Sequence, residues 1–169
     1  MKVYRFVSMR FPDGLSCEGA RRHGGRWNSK GVAVLYCATS ESLAMLELRV
    51  HSPHPYPRTR SRFFIEVPDD ALTSVAVDEL PHGWDKLPAG PESKRFGDAW
   101  VAAKLSLGLL VPSVVASEEK NLMLNPSHAR FQEVRILSTR HVVLDKRLYS
   151  APSKRRSSTQ KKRSSSRAV

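Results

Sequence analysis

The chain has 169 residues and a 40% apolar fraction, enough for one domain with an ordinary core and an appendage. No apolar run approaches the ~20 residues that cross a bilayer, and MKVYRFVSMRFPDG has no continuous apolar segment ending in a small-residue cleavage site. Two cysteines without CxxC spacing exclude a disulfide scaffold, so the expectation is a reducing, cytoplasmic protein that is neither secreted nor membrane-bound.

The formal net charge of +12 is unevenly spread. The terminal stretch APSKRRSSTQKKRSSSRAV (151–169) holds seven Lys/Arg, no acid and almost nothing apolar. It reads as a disordered basic tail appended to a domain over 1–150. Such a tail either contacts nucleic acid or keeps the protein soluble, and the second reading is the simpler one.

KVYRFVS (2–8) alternates and predicts a strand with Val3, Arg5 and Val7 on one face. Phe11–Gly31, rich in Gly, Arg and polar residues, reads as an irregular loop. VAVLYCA (32–38) predicts a buried strand that puts Val34, Tyr36 and Ala38 on one side. Thr39 or Ser40 then caps a helix running to about Val50. Three prolines in SPHPYPRT end regular structure. RFFIEV (62–67) is a further strand, and Asp69–Glu92 reads as mixed loop. A helix is predicted over Ala99–Leu107 with Gly108 as its stop. LLVPSVVA (109–116), FQEVRIL (131–137) and HVVLDKRL (141–148) are strand candidates around the loop SEEKNLMLNPSH. Strands outnumber helices and one sheet can hold most of them. The fold class is therefore α+β (mixed), without a doubly wound sheet.

Several chemistries are excluded by missing motifs. No GxGxxG follows a strand, and GGRWNSKG lacks the closing Gly-Lys-Ser/Thr of a phosphate-binding loop. His51 and His54 sit among prolines without further ligands, so no metal site is expected. Ser113 and His128 are not framed by GxSxG, which argues against a hydrolytic triad.

What remains is a set of polar groups inside apolar elements. Arg5 lies between strand valines, Arg26 in a glycine-rich loop, Tyr36 in a buried strand and Ser113 behind a proline. Glu47 falls with Leu43, Leu46 and Val50 on the apolar side of its helix. A buried carboxylate needs a cationic or hydrogen-bonding partner, for which Arg26 and Arg5 are natural candidates. On spacing alone, an internal Arg–Glu pair and a functional site are about equally good readings. Tyr36 and Ser113, taken singly, are ordinary strand residues.

Taken together, GGRWNSKGVAVLYCATSESLAMLE and GDAWVAAKLSLGLLVPSVVASEEKNLMLNPSHARF resemble the RES-domain family, the toxin half of bacterial Xre–RES toxin–antitoxin pairs. The family is named for an arginine, a glutamate and a serine, which match Arg26, Glu47 and Ser113. The likeness runs from Val3 to about Leu148. Leu122 departs from it, standing where relatives often have an aromatic residue, and the basic tail is an addition. The resemblance implies an ADP-ribosyltransferase-like fold with a central sheet and flanking helices. It also implies NAD+ as substrate rather than cofactor, cleaved at the nicotinamide–ribose bond by a glycohydrolase or phosphorylase, with inorganic phosphate as acceptor in the latter. An ADP-ribosyltransferase acting on a protein is the alternative, and a non-enzymatic basic nucleic-acid-binding module the remaining one. The implied partner is an Xre-type antitoxin with a helix-turn-helix domain, through which nucleic acid would be contacted indirectly.

Roles follow from the chemistry of that bond. Its cleavage builds positive charge on the ribose, which Glu47 would stabilise. Guanidinium groups suit a pyrophosphate, a role for Arg26 and Arg5. Tyr36 offers a face for nicotinamide. Ser113 would hydrogen-bond ribose or carboxamide, with Asn121 and His128 as secondary NAD+ contacts. Glu47, Arg26 and Tyr36 form the expected catalytic set.

Overall fold

The computed structural model describes residues 1–10, 13–52 and 59–149. The proline-rich segment, His54 and the basic tail lie outside them.

Seven strands form one mixed sheet: β1 (Lys2–Ser8), β2 (Leu35–Ala38), β3 (Thr59–Glu66), β4 (Leu72–Ser74), β5 (Gly108–Pro112), β6 (Lys120–Leu124) and β7 (Arg135–Val143). Their order is β4-β5-β6-β2-β1-β3-β7. Only β4 and β5 run parallel; the other neighbours are antiparallel. Among the described residues three α-helices accompany the sheet: α1 (Glu18–His23), α2 (Glu41–His51) and α3 (Pro91–Ala103). This is the α+β architecture that the strand-rich sequence predicts.

Alternation along the strands divides the interior. Val3, Leu35, Cys37, Phe63, Ile65, Leu122 and Leu124 build one core cluster. Residues between them on β2 and β6 point the other way: Tyr36 and Met123 join Trp27, Val34, Leu109 and Val111, against Phe96 and Trp100 of α3. A third cluster seats Leu43 and Ala44 of α2 on Ala38, Tyr4 and Phe6.

The ladders are unequal. β1 and β3 pair over seven residues, from Lys2↔Glu66 to Ser8↔Arg60. β1 and β2 share the single pair Tyr4↔Ala38. The sheet is nearly parted there, which leaves the sides of both strands beyond that point free to border a cavity.

Several boundaries differ from expectation. The strand predicted over 32–38 begins at Leu35. The expected loop before it contains α1, and β4 lies in the expected loop 69–92. α3 starts at Pro91, where a missing N–H costs nothing, and ends at Lys104 in the left-handed region (φ 51°). Gly108 is the first residue of β5 rather than a helix stop. Gly97 sits inside α3, because a Cβ there would lie 1.8 Å from the Trp27 carbonyl oxygen. β6 occupies part of the expected loop SEEKNLMLNPSH, with Leu122, Met123 and Leu124 fully buried. The two strands expected over 131–148 are one, β7, flanked by 3-10 turns at Ala129–Glu133 and Lys146–Leu148.

Candidate active site

α2 begins as its sequence prescribes: the Ser40 side chain accepts from the Leu43 N–H at 3.0 Å. One turn on, the apolar stripe leaves the core and meets a cleft of about 820 Å3, within the range of small-molecule sites. The cleft lies at the parted β1–β2 border, lined by Tyr4, Arg5 and Phe6 on one side and Tyr36, Cys37 and Ala38 on the other. Residues 23–27, Asn121 of β6 and Glu47 and His51 of α2 complete much of its wall.

Glu47 is the carboxylate of this cleft, with 21% of its side chain exposed. Its oxygens are held differently. Oε1 accepts from Ser113 Oγ at 2.8 Å and from Asn121 Nδ2 at 2.5 Å. Oε2 faces His51 Nε2 at 3.4 Å, one helical turn away. Burial works against the charge, but the contacts from His51, Asn121 and Ser113 outweigh it and hold the carboxyl below its ordinary range. Glu47 is therefore ionised at neutral pH.

The expected Arg–Glu pair does not form. Arg5 donates to the carbonyls of Gly14 and Ser16 at 3.0 and 2.9 Å. Arg26 donates through Nη1 to the carbonyls of Trp84 and Lys86 at 2.7 and 3.0 Å. Both guanidiniums are spent on loop carbonyls, while Ser113 and Asn121 serve the carboxylate. Arg26 still lines the cleft and feels the charge of Glu47, which offsets part of the effect of its burial. Arg5 lines the cleft too, yet the bonds from its two terminal nitrogens make it chiefly a tether for residues 14–16.

Other predicted residues divide in the same way. Ser113 is 2% exposed and not on the cleft wall; besides donating to Glu47 it accepts from the Val115 and Ala116 N–H groups. Its hydroxyl proton is directed at the carboxylate. Asn121, ranked as secondary, touches Glu47 directly. His128 is elsewhere: it caps the turn Ala129–Glu133 by accepting from the Arg130 N–H and is absent from the cleft wall.

The Tyr36 ring lines the cleft, but its hydroxyl is committed to the loop. It donates to Asn28 Oδ1 at 2.7 Å and accepts from the Trp27 N–H at 3.2 Å. Burial raises its pKa, so it stays a phenol. Gly25 passes so close that a Cβ would lie 2.8 Å from this hydroxyl. Asn28, fully buried, gives Nδ2 to the carbonyls of Ala20, Ser29 and Val32. The loop is locked further by Asp98, which accepts from the Ser29 N–H at 2.9 Å, and by Trp84 stacked on Trp27 at 5.7 Å.

Two members of this arrangement escape sequence reasoning. Asn28 carried a signal, a polar residue beside tryptophan in a glycine-rich loop, but nothing marked it as buried. His51 carried a stronger one: a Glu-x-x-x-His spacing puts both side chains on one helix face. Among the described residues no three His, Cys, Asp or Glu side chains cluster as a metal site would require. No described helix is long and apolar enough to cross a membrane.

Comparison with known proteins bears on this cleft. The chain is 43% identical over 140 residues to a protein of Sphingobium sp. (strain YBL2) named Prs ADP-ribosylating toxin, covering 80% of this chain and 87% of that one. It is 40% identical over 134 residues to Toxin Res of Yersinia enterocolitica, covering 78% and 88%. Its fold matches a chain of the Mycobacterium tuberculosis MbcT–MbcA toxin–antitoxin complex with a TM-score of 0.69, over 84% of each chain at 22% identity. A family model described as RES domain matches residues 2–145. The chain belongs to the RES domain family.

Proposed function

We propose that this protein is the toxin of a toxin–antitoxin pair and that it consumes NAD+ by breaking the nicotinamide–ribose bond. The observation that carries the reading is the ionised Glu47, braced by Ser113 and Asn121 at the edge of a cleft with Arg26 and Tyr36 on its wall. Cleavage of that bond puts positive charge on the ribose ring. A fixed carboxylate in a partly desolvated wall stabilises that charge without having to reorganise. One carboxylate suffices, because nicotinamide leaves as a neutral molecule and needs little acid assistance. The cationic groups Arg5 and Arg26 give the cleft a field suited to the anionic pyrophosphate, and the Tyr36 ring offers a face to the leaving base.

The acceptor distinguishes the two forms of the reaction. Water or phosphate makes a glycohydrolase or phosphorylase. A protein side chain makes a transferase, a form favoured by the name of the Sphingobium relative. Full-length protein incubated with NAD+, with and without phosphate, separates them. Free nicotinamide with ADP-ribose or its phosphate indicates the first form. Label retained on protein with little free ADP-ribose indicates the second. No nicotinamide under any condition refutes the proposal. The partner in this reading is an Xre-type antitoxin that covers the cleft; co-purification with the helix-turn-helix product of the neighbouring reading frame, and loss of NAD+ consumption in the complex, test it.

A further inference from the structure

Glu47 has about four acceptor positions, two on each oxygen. Ser113 and Asn121 take both on Oε1. His51 Nε2 approaches Oε2 at 3.4 Å, an ion-pair contact rather than a formed hydrogen bond, and covers one of its positions. A single position on Oε2 is left to face a ligand. With Nε2 turned to Glu47, the other ring nitrogen, Nδ1, belongs to an imidazole that is 68% exposed and lines the cleft. This is the arrangement in which a carboxylate orients a histidine and fixes its tautomer, so that the far nitrogen can take a proton.

We infer that His51 is the general base that activates the acceptor in NAD+ cleavage, oriented by Glu47 from one turn away on α2. The inference rests on the proposed NAD+ reaction and adds to it. The C1′–N bond to nicotinamide breaks with its electron pair leaving on the neutral base, while the last acceptor position of Glu47 Oε2 holds a ribose hydroxyl. A water or hydroxyl oxygen forms the new bond to C1′, and its proton passes to His51 Nδ1 and then to solvent. Glu47 is the poorer candidate for that proton, since its surroundings hold the carboxyl below its ordinary range. The 3.4 Å contact is loose, as such contacts often are before substrate binds.

The other titratable or charged groups on the cleft, among the described residues, are His23 from α1, Tyr4 and Arg5 from β1, Arg26 from the loop, and Tyr36 and Cys37 from β2. Among the described residues His23 is the one other imidazole on the wall, and it supplies the control. The test follows nicotinamide release by the full chain from about pH 5 to pH 9, with NAD+ varied at each pH. Wild-type kcat should fall on the acid side along one limb, as protonation of a general base requires. His51→Ala should lose about 100-fold in kcat at neutral pH and lose that limb, with KM within about threefold. His51→Gln can keep an N–H toward Glu47 but cannot take a proton, so it should behave like His51→Ala rather than rescue it. Added imidazole should restore part of the His51→Ala rate. The limb should persist in His23→Gln, whatever that variant's rate.

Wild-type kcat with an unchanged acid limb in His51→Gln overturns the inference and leaves the NAD+ reading standing. So does a limb that vanishes with His23 instead. If the wild-type chain releases no nicotinamide, both fall together.

Discussion

Two polar clusters set in apolar surroundings meet at this cleft, and they differ in what they have left to offer. In the loop cluster, Asn28 and the Tyr36 hydroxyl spend their bonding capacity on one another and on backbone groups, and Asn28 is fully buried. In the α2 cluster, Glu47 is supported on one oxygen and retains room on the other, at the edge of a cavity. In sequence Tyr36 and Glu47 look alike, as polar groups inside apolar elements, whereas Asn28 is hidden in a polar loop. Saturation marks the first as scaffold, and residual capacity marks the second as a place where a ligand can bind.

The largest expected effect separates the clusters outright. Glu47→Gln keeps shape and both Oε1 contacts while removing charge, so NAD+ turnover should drop by about 10³-fold. Thermal unfolding should be little changed; a variant that unfolds instead would move Glu47 into the scaffold class. On the other side of the comparison, Gly97→Ala drives a methyl against the Trp27 carbonyl, and chemical denaturation should show a loss of about 3 kcal/mol. Asn28→Ala should cost about 2 kcal/mol by leaving the Tyr36 hydroxyl and three carbonyls short of partners. Tyr36→Phe, which removes a hydroxyl but not the ring, should cost about 1 kcal/mol in the same assay.

The smallest effect is one of pH. The Glu47 carboxyl sits below its ordinary value of 4.5 in the folded protein. Its support of the fold is therefore fully present above the unfolded value and is lost as pH falls through the lower, folded one. The stability difference between wild type and Glu47→Gln should hold constant near neutrality and shift only in that acidic window. A difference that instead changes around pH 7 would assign the effect to a histidine.

Much of the site is legible in sequence where local periodicity carries it. Glu47 stands out because a charged residue interrupts a helical stripe, and the Ser40 cap is a matter of adjacent residues. The long-range terms are not visible in this way. Gly97 lowers helix propensity, so α3 hides its first two turns; the reason for a glycine there is a carbonyl seventy residues earlier in the chain. The polar residues around NLML mask β6, although its last three side chains are wholly buried by neighbours from elsewhere. The arginines were legible as necessary cations but not as tethers, because their partners are main-chain carbonyls, which carry no sequence signature. The His51 position is legible, since its spacing from Glu47 is local.

The supports of Glu47 come late. Ser113 and Asn121 follow it by 66 and 74 residues, on β5's continuation and on a strand that must pair with β2 and β5 before it is placed. A chain emerging from the ribosome therefore carries the acid long before it carries the groups that aim it, and a fragment halted short of Ser113 has neither. Premature termination anywhere in the first two thirds therefore yields a chain whose Glu47 lacks both of these donors.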